Sequence, residues 1–255
     1  MADTTNEDPI EDLFDFPLLE AMYGRRARRF GIGMEILSGP LAFRWSAEPA
    51  PLTELEHAVL VARNGLSMCE IHHAAYDPGT EFSIGRIEMV ANTGTYLDTP
   101  FHRFEDGFDL AGLPLEKVAD LPGICLRAAG PELDAELMKK DVYFAGQTVL
   151  FATGWDRHWR TEHYGDPNHP FVSPALVDAL VFGGAALVGI GSVNIDDTRG
   201  GRRPAHTGLL RAGIPVVEHL TGLDHLVGNE FRLYAVSPMV RDLGSFAVRA
   251  FAAVD

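Results

Sequence analysis

The chain has 255 residues and a formal net charge of −15, from 21 Lys plus Arg against 36 Asp plus Glu. Hydrophobic residues make up 46% and charged residues 22%, values of an ordinary globular domain, so a collagen-like, coiled-coil or wholly disordered chain is excluded. The acidic balance opposes any general face for nucleic acid or anionic lipid, and no apolar run reaches the roughly 18 residues of a membrane span.

The first sixteen residues carry Asp3, Glu7, Asp8, Glu11, Asp12 and Asp15 and read as a mobile acidic head without an export signal. A short helix over 16–24, closed by Gly24, precedes the basic patch Arg25-Arg26-Ala27-Arg28-Arg29. The patch either pairs with the excess carboxylates or docks an acidic substrate or a neighbouring subunit. Residues 52–66 form the clearest N-terminal helix, with Thr53 and Glu56 as a capping box and Asn64-Gly65 as its end.

From about residue 68 the texture changes to short β-rich runs between Gly, Pro and Asp. Strands are expected at 87–91, 148–152, 186–190 and 215–218. Ser173-Pro174 opens a helix over 173–180, with a serine cap and proline at the first helical position. Strands alternating with helices, several of them apolar throughout, predict an α/β domain with a buried sheet. Cys69 and Cys125 are too few for a disulfide framework, and a reduced, cytoplasmic setting is expected. Neither cysteine has a partner constellation for nucleophilic catalysis.

The chemistry concentrates in Asn92-Thr93-Gly94-Thr95-Tyr96-Leu97-Asp98-Thr99-Pro100-Phe101-His102. A β run ends at Ala91, and the next eleven residues read as a loop. A carboxylate and an imidazole four residues apart there, Asp98 and His102, are placed to converge on one cleft. The alternative is that Asp98 caps a turn while His102 packs.

Gly94-Thr95-x-x-Asp98-x-Pro100-x-His102 resembles the H-x-G-T-H-x-D-x-P-x-H signature of the cyclase family of metal-dependent hydrolases, which includes kynurenine formamidase and isatin hydrolase. Four later runs are similar to the family's in the same order: Leu150–Trp155, Leu187–Asp196, Pro204–Leu210 and Ile214–Leu220. The match runs from about 68 to 250. It implies a catalytic domain over 68–255 behind an N-terminal extension over 1–67, and a mixed β-sheet or barrel-like core with flanking helices.

Carried over residue by residue, the resemblance makes Asp98, His206 and Glu218 metal ligands and His102 the acid/base. It also exposes a departure, because Asn92 and Tyr96 stand where the family has its first two histidines. An amide carbonyl is a weak zinc ligand, and a phenol must lose a proton of pKa near ~10 before it binds well. The expectation is therefore at most one divalent ion, Zn²⁺ or Mn²⁺, with a metal-free acid/base site as the alternative. Asn92 and Tyr96 would then donate hydrogen bonds to an oxyanion.

The expected function is hydrolysis of a cyclic amide, lactone or related carbonyl compound by a homodimer or homotetramer. The alternatives are a metal-free cyclase or isomerase and an inactive small-molecule binder. His72 and His73 read as surface or core residues rather than ligands, and His158, His163 and His169 are too irregularly spaced for a site. His219, following Glu218 on a strand, should point to the opposite face, and His225 reads as structural.

Overall fold

The structure is a computed structural model that describes residues 28–31, 43–46, 86–138 and 143–254. Its strands are β1 (Arg28–Gly31), β2 (Phe43–Ser46), β3 (Arg86–Met89), β4 (Tyr96–Asp98), β5 (Leu121–Arg127), β6 (Glu132–Leu133), β7 (Thr148–Ala152), β8 (Phe171–Val172), β9 (Leu187–Ile190), β10 (Val216–Glu218), β11 (Phe231–Tyr234), β12 (Ser245–Ala247) and β13 (Phe251–Val254). The α-helices are α1 (Pro174–Phe182) and α2 (Pro204–Arg211). The helices expected at 16–24 and 52–66, the boundary at 67–68, His72, His73 and Cys69 lie outside the described residues, and of the basic patch only Arg28 and Arg29, which open β1, lie within them.

The chain divides into two compact units, residues 1–35 with 94–255, and residues 36–93. In the smaller unit β2 and β3 pair antiparallel, Phe43 opposite Met89. Asn92 belongs to this unit and sits half-buried in a bend.

The larger unit is built on a mixed nine-stranded sheet in the order β1-β13-β11-β5-β7-β9-β10-β4-β12. The four middle strands β5, β7, β9 and β10 run parallel, and the outer pairings on both sides are antiparallel. Parallel neighbours need crossover connections, and α1 leads into β9 as α2 leads into β10. Every residue of β7 and β9 is buried, which is why β9, and β7 after Thr148, read as continuous apolar runs rather than alternating ones.

Within β7 the side chains still alternate. Leu150 and Ala152 join a core with Leu220, Leu223 and Leu233, whereas Val149 and Phe151 join a second core with the buried faces of α1 and α2. Each such fully buried Leu or Phe stabilises the unit by about 1.5–3 kcal/mol. The Ser173 side chain accepts the Leu176 N–H at 3.1 Å, with Pro174 at the first position, so α1 starts as its sequence predicts. Gly208 lets the helices approach closely, since a Cβ there would lie 2.5 Å from Val177 Cγ1.

One reading of 92–102 changes. Tyr96–Asp98, expected within a loop, is the strand β4, held between β10 and β12. Three residues between turn formers give no periodicity to read, and long-range pairing makes the strand.

Candidate active site

β4 carries the first two site residues on one face, Tyr96 and Asp98, with Leu97 buried on the other. Its register against β10 sets Glu218 opposite Tyr96, and its register against β12 sets Ser245 opposite Asp98. A single 3-10 turn, Pro100–His102, then folds His102 back over β4, leaving its Nδ1 3.7 Å from Asp98 Oδ1. The imidazole remains partly exposed, with 37% of its side chain accessible, while Asp98 is fully buried.

His206 enters from the third position of α2. Its Nε2 lies 3.4 Å from Asp98 Oδ2 and 3.6 Å from Glu218 Oε1. Its other nitrogen, Nδ1, bonds Asp196 Oδ2 at 2.6 Å. Asp196 also accepts the Ala205 N–H at 2.7 Å and the His206 N–H at 3.1 Å, so one carboxylate both caps α2 and orients the ring it delivers. The Asp196 carboxylate accepts the Nδ1–H of His206, which turns Nε2 toward Asp98 and Glu218.

Glu218 is fully buried and engaged at both oxygens. Oε1 accepts the Ile195 N–H at 2.5 Å, and Oε2 accepts the Tyr96 hydroxyl. The phenol therefore directs its proton at Glu218, away from the oxyanion role expected of it. Ser245 donates its hydroxyl to Asp98 Oδ1 and stands 2.7 Å from His102 Nδ1.

Asp98, Asp196 and Glu218 are all fully buried around a single imidazole. Burial would lower the His206 pKa, but the charges of Glu218 and Asp98 and the Asp196 hydrogen bond outweigh it and push it up to about 10. Burial pushes Glu218 up to about 7, against the opposing pull of His206. Without an ion, then, the imidazolium itself supplies the positive charge that the carboxylates require.

The distances from His206 to the two carboxylates suit a divalent cation. Ligands about 2.1 Å from a tetrahedral ion lie about 3.4 Å from one another, close to the 3.4 and 3.6 Å separating His206 Nε2 from Asp98 and Glu218. Asp98, His102 and His206 also offer ligand atoms that all lie within 4.8 Å of one another. The Asp196–His206 bond is the carboxylate–histidine arrangement that usually backs a metal-ligating imidazole.

The structure thus brings together Tyr96, Asp98, His102, His206 and Glu218, residues up to 122 apart in sequence. Asp196 and Ser245 join them without having been assigned a role. Asp196 was visible as the acidic end of the Leu187–Asp196 run, whereas Ser245 has no motif and is reached only through strand register. His219 departs from expectation: β10 ends at Glu218, and His219 adopts a left-handed φ of 58°. Its ring therefore leaves the strand's alternation and packs against Tyr96, with Nδ1 2.9 Å from the Tyr164 hydroxyl. His169 is buried against Ser192 and Thr198, and Cys125 is buried in the core.

The Cyclase family model matches residues 37–197. Among curated relatives, a kynurenine formamidase of Geobacillus thermodenitrificans (strain NG80-2) is 29% identical over 167 residues, covering 64% of this chain and 77% of the relative. Among solved structures, isatin hydrolase A from Labrenzia aggregata, bound to benzyl benzoate, superposes with a TM-score of 0.70 at 19% identity, over 93% of this chain and 97% of that one. A second, described as a potential metal-dependent hydrolase with cyclase activity, gives a TM-score of 0.63 at 19% identity, over 90% and 98% of the two chains. At that identity the likeness shows the fold.

Proposed function

The chain belongs to the cyclase family, and from that premise we propose that it hydrolyses the C–N bond of an amide, a cyclic amide foremost, or the ester bond of a lactone. The observation that carries the reading is the convergence of Asp98 Oδ2 and Glu218 Oε1 on His206 Nε2, at 3.4 and 3.6 Å. The names of the relatives, a formamidase and a hydrolase of isatin, support a carbonyl substrate attached to nitrogen.

Asp98, His206 and Glu218 hold at most one divalent ion, Zn²⁺ or Mn²⁺. When bound, such an ion supplies Lewis-acid polarisation of the carbonyl and acidifies a water. Asp196 keeps His206 in the tautomer that ligates. Tyr96 and the Ile195 N–H fix the Glu218 carboxylate in one orientation. His102, the partly exposed member of the cluster, accepts the proton of the attacking water and returns it to the leaving nitrogen.

The acidic charge and paucity of cysteines support a cytoplasmic setting. Among the described residues no helix is long and apolar enough to cross a membrane. We retain assembly as a homodimer or homotetramer as part of this proposal. The domain reading remains a catalytic region from about residue 68 behind an N-terminal extension.

The test combines elemental analysis with hydrolysis of isatin and of the formamide of kynurenine. One equivalent of Zn²⁺ or Mn²⁺ per chain, with turnover lost in His206→Ala and in His102→Ala, is the expected result. Turnover that survives complete metal removal but not His102→Ala would replace this reading with the metal-free acid/base alternative.

A further inference from the structure

Ser245 lies outside every run that ties this chain to its family, yet its hydroxyl touches both Asp98 and His102. We propose that Ser245 is a positioning residue that fixes His102 in the Nδ1–H tautomer, so that His102 works through Nε2 and its Nδ1 is closed to metal and substrate.

A serine hydroxyl has a single proton. The Ser245 hydroxyl donates that proton to Oδ1 of the fully buried Asp98 carboxylate. The contact between Ser245 Oγ and His102 Nδ1, 2.7 Å long, must then be made with a proton from the imidazole. Nδ1–H donates to Ser245, Ser245 donates to Asp98, and in the neutral ring the lone pair stays on Nε2.

The fold enforces this placement. Ser245 faces Asp98 directly in the β4–β12 register, with Phe246 opposite Leu97. A slip of one residue would turn the hydroxyl to the other face and remove it from the site. Two hydrogen bonds pin β12 to the start of the turn that carries His102, from Thr99 N–H to Gly244 O at 2.8 Å and from Thr99 Oγ1 to the same carbonyl at 3.0 Å. Gly244 makes the approach possible, because a Cβ there would lie 2.3 Å from His102 N and 2.5 Å from its Cα. His102 N–H in turn bonds Thr99 O at 2.9 Å, so backbone and ring are held by the same two segments.

The consequence separates two roles for His102. Asp98, His102 and His206 are close enough to form a ligand triad, but the nitrogen of His102 nearest Asp98 carries a proton and cannot ligate. His102 is left as a base presenting Nε2. This functional part rests on the hydrolase reading above, whereas the tautomer does not.

The experiment records long-range ¹⁵N–¹H correlation spectra of the neutral histidine rings in metal-free protein, with His102 assigned by its loss in His102→Gln. The expected wild-type pattern for His102 is a pyrrole-type Nδ1 and a pyridine-type Nε2. In Ser245→Ala the ring should relax toward the Nε2–H form, and in Ser245→Thr, which keeps the hydroxyl, it should retain the wild-type pattern. With a turned-over amide, Ser245→Ala should lower kcat by about 10–100-fold with little change in KM, and Ser245→Thr should recover most of it. A pyridine-type Nδ1 in the wild-type spectrum would overturn the proposal, even if neither variant folds. A pyrrole-type Nδ1 in a protein that hydrolyses none of the amides would uphold it while removing the hydrolase reading.

Discussion

Replacing Asp196 by asparagine tests whether the carboxylate behind His206 organises the site. Asp196 is fully buried and accepts three N–H groups, from Ala205 at 2.7 Å, from the His206 backbone at 3.1 Å and from His206 Nδ1 at 2.6 Å. Asparagine has the same shape but only one accepting oxygen. In either orientation its NH₂ must face at least one N–H. Hydrogen bonds to a charged group contribute about 1.5–3 kcal/mol each, and the loss of at least one, with the weakening of the others as the charge disappears, is partly offset by removing one of three crowded carboxylates. The net loss is about 2–4 kcal/mol in the metal-free protein, or a Tm lower by about 5–12 °C for a chain of this size. Metal affinity should fall by about 10–100-fold, because the imidazole no longer has an anion holding its Nδ1 proton. Differential scanning fluorimetry and a competitive chelator titration measure the two quantities. A folded Asp196→Asn protein with a Tm within about a degree of wild type and unchanged metal affinity would refute the reasoning.

Tyr96→Phe removes the donor on Glu218 Oε2 in a fully buried setting and should destabilise the protein by about 1–3 kcal/mol in urea unfolding. An unchanged midpoint and slope would show that the phenol is dispensable. Both raised pKa values act on stability in one direction. The contribution of His206 is fully present below 6.5 and lost as pH rises toward about 10, and that of Glu218 is fully present below 4.5 and lost as pH rises through about 7. Metal-free protein should therefore lose Tm steadily from pH 4.5 to 10. Added Zn²⁺ should raise Tm more at high pH than at low, and a flat metal-free profile would contradict the charge arrangement. Finally, Asn92→His combined with Tyr96→His restores both signature histidines. Elemental analysis should then find a second equivalent of metal, and an unaltered content in a folded double variant would sink the motif alignment.

The strands β7, β9 and β10 and the capped helix α1 were legible because burial on both faces or a Ser-Pro start leaves a local trace. β4 was not, since three residues flanked by Thr, Gly and Pro form a strand only when β10 and β12 supply partners from more than a hundred residues away. The same division runs through the site. Asp98, His102, His206 and Glu218 stood in motifs, because chemistry restricts which residue types ligate or transfer protons. Ser245 became visible only once register had placed it opposite Asp98, and nothing in Leu243-Gly244-Ser245 distinguishes it beforehand. His219 escaped the alternation rule because its left-handed backbone ends β10 at Glu218.

The replacement of a signature histidine by Tyr96 has a consequence that follows from proton direction alone. A histidine facing Glu218 Oε2 can offer a lone pair to an ion, whereas a phenol offers that oxygen a proton. An ion placed between Tyr96 and Glu218 would have to expel that proton and break the bond it makes. At His206 an ion replaces only the second proton of the imidazolium, because Asp196 keeps the other at the far nitrogen and the ring left behind is a neutral ligand. The two ends of Glu218 are therefore unequal. Oε1 lies 3.6 Å from the imidazole nitrogen that faces both carboxylates, and Oε2 is committed to a hydroxyl. On the proposed reading, this asymmetry limits the site to one ion and assigns that ion to the His206 side. What remains for Tyr96 is to hold Glu218 still.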